Sequence, residues 1–223
     1  MLKFEAFSDL SNKGAPVRGY FYPSDAPGAN CLILTHGAGA NCEAPLLMAL
    51  ADAFSSQNWM VLRCDLPFRQ LRPHGPPPPG SAERDQAGLR AAVTAMRRMS
   101  AGGVVLGGHS YGGRQASMLA AVEPGLVESL LLLSYPLHPP KKPAELRTKH
   151  FPSLQTPALF VHGVRDGFGT IPELQSALSL IPARTDLLPI ASAGHELLTK
   201  SNREALTEGV VSRLLTGFAS ASA

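Results

Sequence analysis

Short apolar runs recur along the chain with helical or loop-like sequence between them: Cys31–Thr35, Met60–Cys64, Gly103–Gly108, Val127–Ser134 and Ala158–Val161. Cys31-Leu32-Ile33-Leu34-Thr35 shows no alternation of apolar and polar residues, the pattern of a strand covered by helices on both faces. Between the runs the period changes. Leu46, Leu50 and Phe54 recur every four residues, so 44–57 reads as an amphipathic helix, and Leu89, Val93 and Met96 share one face of a helix over 81–100. Gly112, Gly113, Ala116 and Ala120 give a helix over 111–122 a small-residue face that lies close against a sheet. Thr170-Ile171-Pro172-Glu173 and Ser201-Asn202-Arg203-Glu204 read as capping boxes. The first opens a helix to about residue 181, and the second a helix carrying Leu206, Val210, Leu214 and Phe218. With strands at 2–8, 17–22 and 187–190 added, the alternation predicts an α/β fold, a mostly parallel eight-stranded sheet with helices on both faces. The 223 residues suit one domain, 1–223.

Two segments interrupt this rhythm. Residues 68–80 hold Pro76-Pro77-Pro78-Pro79 and read as an ordered loop with polyproline character. Residues 135–156 carry Pro136, Pro139, Pro140, Pro143 and Pro152 and read as a loop with at most one helical turn. Both are expected to wall a pocket.

Composition removes several function classes. At 44% hydrophobic and 17% charged residues the chain is not disordered. A net charge of +3 is too balanced to point to nucleic acid or an anionic membrane. The cysteines, Cys31, Cys42 and Cys64, are odd in number and lack C-x-x-C spacing, so neither a disulfide framework nor a zinc site is expected. Acidic residues near the N-terminus and the lack of an apolar run of ~18 residues argue against a signal peptide and a membrane span. The expectation is a cytoplasmic protein with no nucleic-acid or membrane partner, its oligomeric state left open.

The strongest chemical signal is Gly108-His109-Ser110-Tyr111-Gly112, a G-x-S-x-G run between a strand and a helix. A serine on so tight a turn is lifted clear of the sheet, with the N–H groups of the following helix aimed toward it. A hydroxyl is a poor nucleophile without a base, and the base needs an orienting acid. Among the histidines after Ser110, only His195 follows the last strand, in a small-residue loop. Asp166 ends the strand at 158–162 and is the natural orienter, while Asp166-Gly167 is also a common turn dipeptide. Glu196 adjoins His195 and is expected to point elsewhere. An oxyanion needs backbone N–H donors: Tyr111 supplies one by position, and Ala38, in His36-Gly37-Ala38-Gly39, is the best second. His36, His109 and His162 each adjoin a glycine at a strand end and read as backbone-bonding, so no metal or cofactor is expected. Lys141, Lys142, Arg147 and Lys149 read as a solvated basic face, or, if they rim the pocket, as a preference for anionic substrates.

The order of elements together with Ser110, Asp166 and His195 resembles the α/β-hydrolase superfamily over nearly the whole chain. The compact length, His36-Gly37-Ala38-Gly39 and Leu146-Arg147-Thr148-Lys149-His150-Phe151-Pro152 are similar to a dienelactone-hydrolase-related group. That group includes bacterial hydrolases and a hydrolase-like domain of a chromatin-complex subunit. True dienelactone hydrolases use a cysteine where this chain has Ser110. The lid usual in the superfamily has only residues 135–156 in its place, which implies an accessible pocket. The resemblance implies a serine hydrolase cleaving small acyl esters, with Ser110 as nucleophile, His195 as base and Asp166 as orienter. The alternatives are a non-catalytic binding module of the same fold, or an acyltransferase using the same residues.

Overall fold

The computed structural model describes residues 4–218. The N-terminal end of the first expected strand, residues 2 and 3, lies outside the described residues. The strands are β1 (Glu5–Asp9), β2 (Val17–Tyr22), β3 (Cys31–Thr35), β4 (Met60–Cys64), β5 (Val104–His109), β6 (Ser129–Leu133), β7 (Ala158–Gly163) and β8 (Thr185–Ile190). They form an eight-stranded sheet in the order β1-β2-β4-β3-β5-β6-β7-β8. β1 and β2, and β2 and β4, pair antiparallel; every other neighbouring pair is parallel.

The helices are α1 (Pro45–Ser55), α2 (Pro67–Leu71), α3 (Ser81–Met99), α4 (Tyr111–Val122), α5 (Ile171–Leu178) and α6 (Arg203–Gly217). Leu47, Leu50 and Phe54 of α1 and Leu206, Val210 and Leu214 of α6 pack on one face of the sheet, against Leu32, Leu34 and Leu159. Leu89, Val93, Ala116, Leu119 and Leu174, from α3, α4 and α5, cover the other, against Ile33, Leu106 and Leu132. The unalternating strands β3, β5, β6 and β7 are buried along their whole length, as their composition required.

The structure agrees with the sequence reading in some places and corrects it in others. The 68–80 loop begins with a short helix, α2, whose Pro67 occupies the first turn, where its missing N–H costs nothing. Residues 135–156 hold a single 3₁₀ turn, Phe151–Ser153. The Thr170 capping box forms, with Glu173 reciprocating. The Ser201 box does not: α6 starts at Arg203 after Asn202, whose side chain instead accepts the Thr199 N–H at 2.7 Å and donates to the Leu197 carbonyl at 2.8 Å. Arg63 sits in a strand composed otherwise for burial and is 1% exposed. Its guanidinium lies 5.0 Å from the Tyr20 ring and 5.4 Å from the Tyr22 ring, a cation–π setting that offsets part of its desolvation.

Chain order reverses between β3 and β5. From β3 the chain crosses outward to β4, then returns past β3 to β5. The parallel ladder aligns Thr35 with Gly108, so the loops leaving the carboxyl ends of β3 and β5 stand side by side. In open α/β sheets such a reversal opens a crevice.

Candidate active site

Ser110 stands in that crevice, between β5 and α4, with φ 50° and ψ −113°. A non-glycine residue rarely adopts this backbone, and it persists only where its surroundings hold it. Here the Ser110 N–H donates to the Leu133 carbonyl at 2.8 Å. The flanking glycines let the chain fold back on itself. A Cβ at Gly108 would lie 2.5 Å from the Gly113 nitrogen, and one at Gly112 would lie 2.6 Å from the His36 carbonyl oxygen.

The loop after β8 brings His195 opposite. Its Nε2 lies 2.8 Å from Ser110 Oγ, and its Nδ1 lies 2.8 Å and 3.0 Å from the Asp166 carboxylate oxygens. With Nδ1–H donating to the carboxylate, Nε2 is left to accept the Ser110 hydroxyl proton. Asp166 follows β7, and its side chain is 0% exposed against 20% for His195. Burial alone would raise the Asp166 carboxyl, but hydrogen bonds from His195 and from the Phe168 N–H (2.8 Å) outweigh it and hold the group below its ordinary value. Asp166 is thus both a turn residue, its N–H bonded to the Gly163 carbonyl at 3.1 Å, and the partner of His195.

The segment 36–40 faces Ser110 from the end of β3. The His36 Nε2 accepts the Leu66 N–H at 3.1 Å, so its Nδ1–H donates to the Gly37 carbonyl at 2.8 Å. Burial lowers the His36 imidazole and keeps it neutral. Arg69, 5% exposed, donates to the carbonyls of Ala38 (2.8 Å), Ala40 (2.7 Å), Arg72 (2.9 Å) and Gly75 (3.0 Å). Since C=O and N–H of a planar trans peptide point opposite ways, carbonyls turned toward His36 and Arg69 turn the N–H groups of Ala38 and Gly39 away from them. Neither N–H has a hydrogen-bond partner among the described residues. The Tyr111 N–H, first in α4, has no partner within its helix. The Tyr111 phenol points aside, donating to the buried Asp85 carboxylate at 2.7 Å. Burial raises the Asp85 carboxyl, which also accepts the Phe68 N–H at 3.0 Å.

The resulting cleft, of about 400 Å³, is lined by Gly37–Ala40, His109, Ser110, Phe168, His195 and Glu196. The structure therefore brings together Ser110, His195, Asp166, Ala38 and Tyr111. It does not bring the proline-rich loops to the cleft. Pro67, Gln70 and Leu71 line a separate groove near Lys13, and Leu146, Arg147, Lys149 and His150 line another against α4. The lining comes instead from the glycine loop and the turn at Phe168, which the two loops brace: Arg69 donates to the Ala38 carbonyl, and the His138 N–H donates to the Phe168 carbonyl at 3.0 Å. Glu196, expected to point elsewhere, lines the cleft without a hydrogen bond to His195.

His36, His109 and His162 do bond to backbone carbonyls. His109 donates through Nε2 to the His195 carbonyl at 2.8 Å and so steadies the loop opposite. Sequence reasoning missed Arg69, Asp85 and Phe168, whose ring lies 4.2 Å from the His195 ring. Phe168, two residues after Asp166 in the same turn, carried the only local signal.

A serine raised on a strained strand-to-helix turn, facing a histidine delivered after the last strand, is the layout of the α/β-hydrolase class. The profile of the alpha/beta hydrolase domain family matches residues 28–221, and the chain belongs to that family. Solved structures share the fold. A dienelactone hydrolase from Anabaena variabilis is 18% identical, with a TM-score of 0.73 over 97% of this chain and 98% of its own. Est1E from Butyrivibrio proteoclasticus is 16% identical, with a TM-score of 0.74 over 95% of this chain and 98% of its own. An esterase of Pyrococcus furiosus is 14% identical, with a TM-score of 0.78 over 98% of this chain and 92% of its own. Among the described residues no helix is long and apolar enough to cross a membrane.

Proposed function

We propose that the chain is a serine hydrolase that cleaves small acyl esters. The observation that carries this reading is the unbroken chain of contacts from Ser110 Oγ to His195 Nε2, and from His195 Nδ1 to Asp166, each at 2.8 Å. Ser110 Oγ attacks the ester carbonyl carbon as His195 Nε2 takes the hydroxyl proton. The negative charge that forms on the carbonyl oxygen meets the N–H groups of Tyr111 and Ala38. Collapse of this intermediate expels the alcohol, which receives the proton from His195 and leaves an acyl group on Ser110. Water, deprotonated by His195, attacks the acyl carbon, and a second collapse releases the acid and restores the Ser110 hydroxyl. Asp166 keeps Nδ1 protonated throughout and stabilises the imidazolium. The cleft of about 400 Å³ has room for a small ester. The reduced, buried thiols of Cys31, Cys42 and Cys64 support a cytoplasmic setting.

Hydrolysis of a panel of p-nitrophenyl esters from two to twelve carbons tests the reading. Wild type is expected to prefer the short members, and Ser110→Ala to lose roughly 10⁴-fold or more in kcat. Equal hydrolysis by wild type and Ser110→Ala would remove it.

A further inference from the structure

A second cleft, of about 380 Å³, runs along the flank of α4 and is lined by Arg114, Met118, Leu146, Arg147, Lys149 and His150. The opposite flank of α4 packs on α3, where Gln86 bonds Gln115 at 3.0 Å. The groove is therefore bounded by one helix and by the 146–150 segment of the proline-rich loop. His150 anchors that segment to the helix, its Nε2 2.8 Å from Ser117 Oγ.

Its charges are unpaired. Five exposed guanidiniums elsewhere meet carboxylates, Arg90 with Glu123, Arg97 with Glu128, Arg98 with Asp9, Arg203 with Asp52 and Arg213 with Asp186, whereas Arg18, Arg72, Arg84, Arg165 and Arg184 meet none among the described residues. Among the described residues, Arg114, Arg147 and Lys149 have no carboxylate within 4.0 Å. The neighbouring carboxylate of Glu145 is taken by Lys142 at 2.9 Å. The Arg114 Nε is buried without a hydrogen-bond partner.

Arg147 is nonetheless held in place. Its N–H donates to the Leu137 carbonyl at 2.8 Å, and its own carbonyl accepts the Tyr135 hydroxyl at 2.6 Å. Its guanidinium makes only a 3.4 Å contact to the Pro136 carbonyl. Partial burial and the charge of Arg114 both lower the Arg147 guanidinium. Two like charges fixed beside each other in partly desolvated surroundings, with free donors, suit an anion from outside the chain. The remaining wall is apolar: Met118, and Leu146, which is 53% exposed.

We propose that this groove binds an amphipathic anion, its carboxylate or phosphate head between Arg114, Arg147 and Lys149 and a short apolar tail along Met118 and Leu146. The site is separate from Ser110 and holds whether or not Ser110 is a nucleophile. Isothermal titration of the full chain with hexanoate and with hexyl phosphate, in 0.15 M salt, tests it, and the two titrants distinguish the head groups. Acetate and inorganic phosphate report the tail's contribution. One saturable site is expected for at least one six-carbon titrant, weakened about tenfold by Arg147→Gln, as for loss of one charge-assisted hydrogen bond. Lys149→Gln, on an exposed side chain, is expected to weaken it about threefold and serves should Arg147→Gln fail to fold. Ser110→Ala is expected to leave affinity unchanged. Absence of saturation by either titrant below about 10 mM would overturn the proposal. So would unchanged affinity in both charge variants, or loss of binding in Ser110→Ala.

Discussion

In the cleft at the N-terminus of α4, the charged groups that hold the geometry have partners inside the chain, and only the exposed Glu196 carboxylate on its rim has none among the described residues. Asp166 is bonded to His195 and the Phe168 N–H, and Arg69 is satisfied by four carbonyls. In the groove one to two turns further along the same helix, Arg114, Arg147 and Lys149 have no carboxylate within 4.0 Å among the described residues, and the Arg147 guanidinium has only the 3.4 Å contact to the Pro136 carbonyl. The first arrangement fixes geometry before any ligand arrives, which is what electrostatic stabilisation of a developing charge requires. The second leaves charge available. Removing a charge should therefore damage the first cleft and relax the second.

The largest expected effect is at His195. His195→Ala should lower kcat for p-nitrophenyl acetate by roughly 10⁴-fold, because Ser110 loses its only base. A loss below tenfold would place the chemistry elsewhere. Next comes Arg69→Met, which leaves the Ala38 and Ala40 carbonyls without their donor. It should lower kcat about 10²-fold with a smaller change in KM, since displaced Ala38 and Gly39 N–H groups weaken an interaction made in the transition state. Chemical denaturation should show about 1–3 kcal/mol lost with the buried hydrogen bonds. Loss of stability with kcat intact would show that Arg69 braces the fold and not the oxyanion donors.

A third expectation concerns pH. Burial and the Arg114 charge lower the His150 imidazole to about 4 from its ordinary 6.5. The unfolded chain accepts the proton near pH 6.5, whereas the folded chain resists it until about pH 4. The stability contribution of neutral His150 is thus present above pH 6.5 and is lost as pH falls toward 4. His36 and His109, also lowered by burial, act in the same direction. Melting curves should therefore fall across this window, and less steeply in His150→Gln; identical slopes would contradict the assignment. The smallest effect is at Arg147. With no anion added, Arg147→Gln should raise the melting temperature by ~1–2 °C, as repulsion from Arg114 is removed. A clear decrease would mean that Arg147 already has a stabilising partner.

The same contrast explains what was legible in the sequence. Strands β3, β5, β6 and β7 announced themselves because burial on both faces leaves only apolar residues. Ser110, Asp166 and His195 were legible because the turns that carry them demand glycine or other small residues close by, and because strand order restricts which loops can meet. Arg69 and Asp85 carried no such mark. An arginine beside prolines and an acid on a helix look solvated, and only the packing of α3 on α2, and of α2 on the loop after β3, turns them inward. The destination of the proline-rich loops was hidden for a related reason. Composition marked residues 68–80 and 135–156 as irregular, but neither the short helix α2 at the start of the first nor the residues each loop packs against. Ser201 failed as a cap because α6 begins one residue later, with Asn202 at the cap position and its side chain tied to Thr199 and Leu197, contacts that a four-residue pattern does not encode.

The central claim is that Ser110 is a nucleophile poised by His195. Incubating the folded protein with a fluorophosphonate and weighing it intact tests this most directly. The account predicts one covalent adduct per chain, mapped to Ser110, absent from Ser110→Ala and strongly slowed in His195→Ala. Folded wild type that remains unlabelled, or labelling that persists in Ser110→Ala, would contradict it.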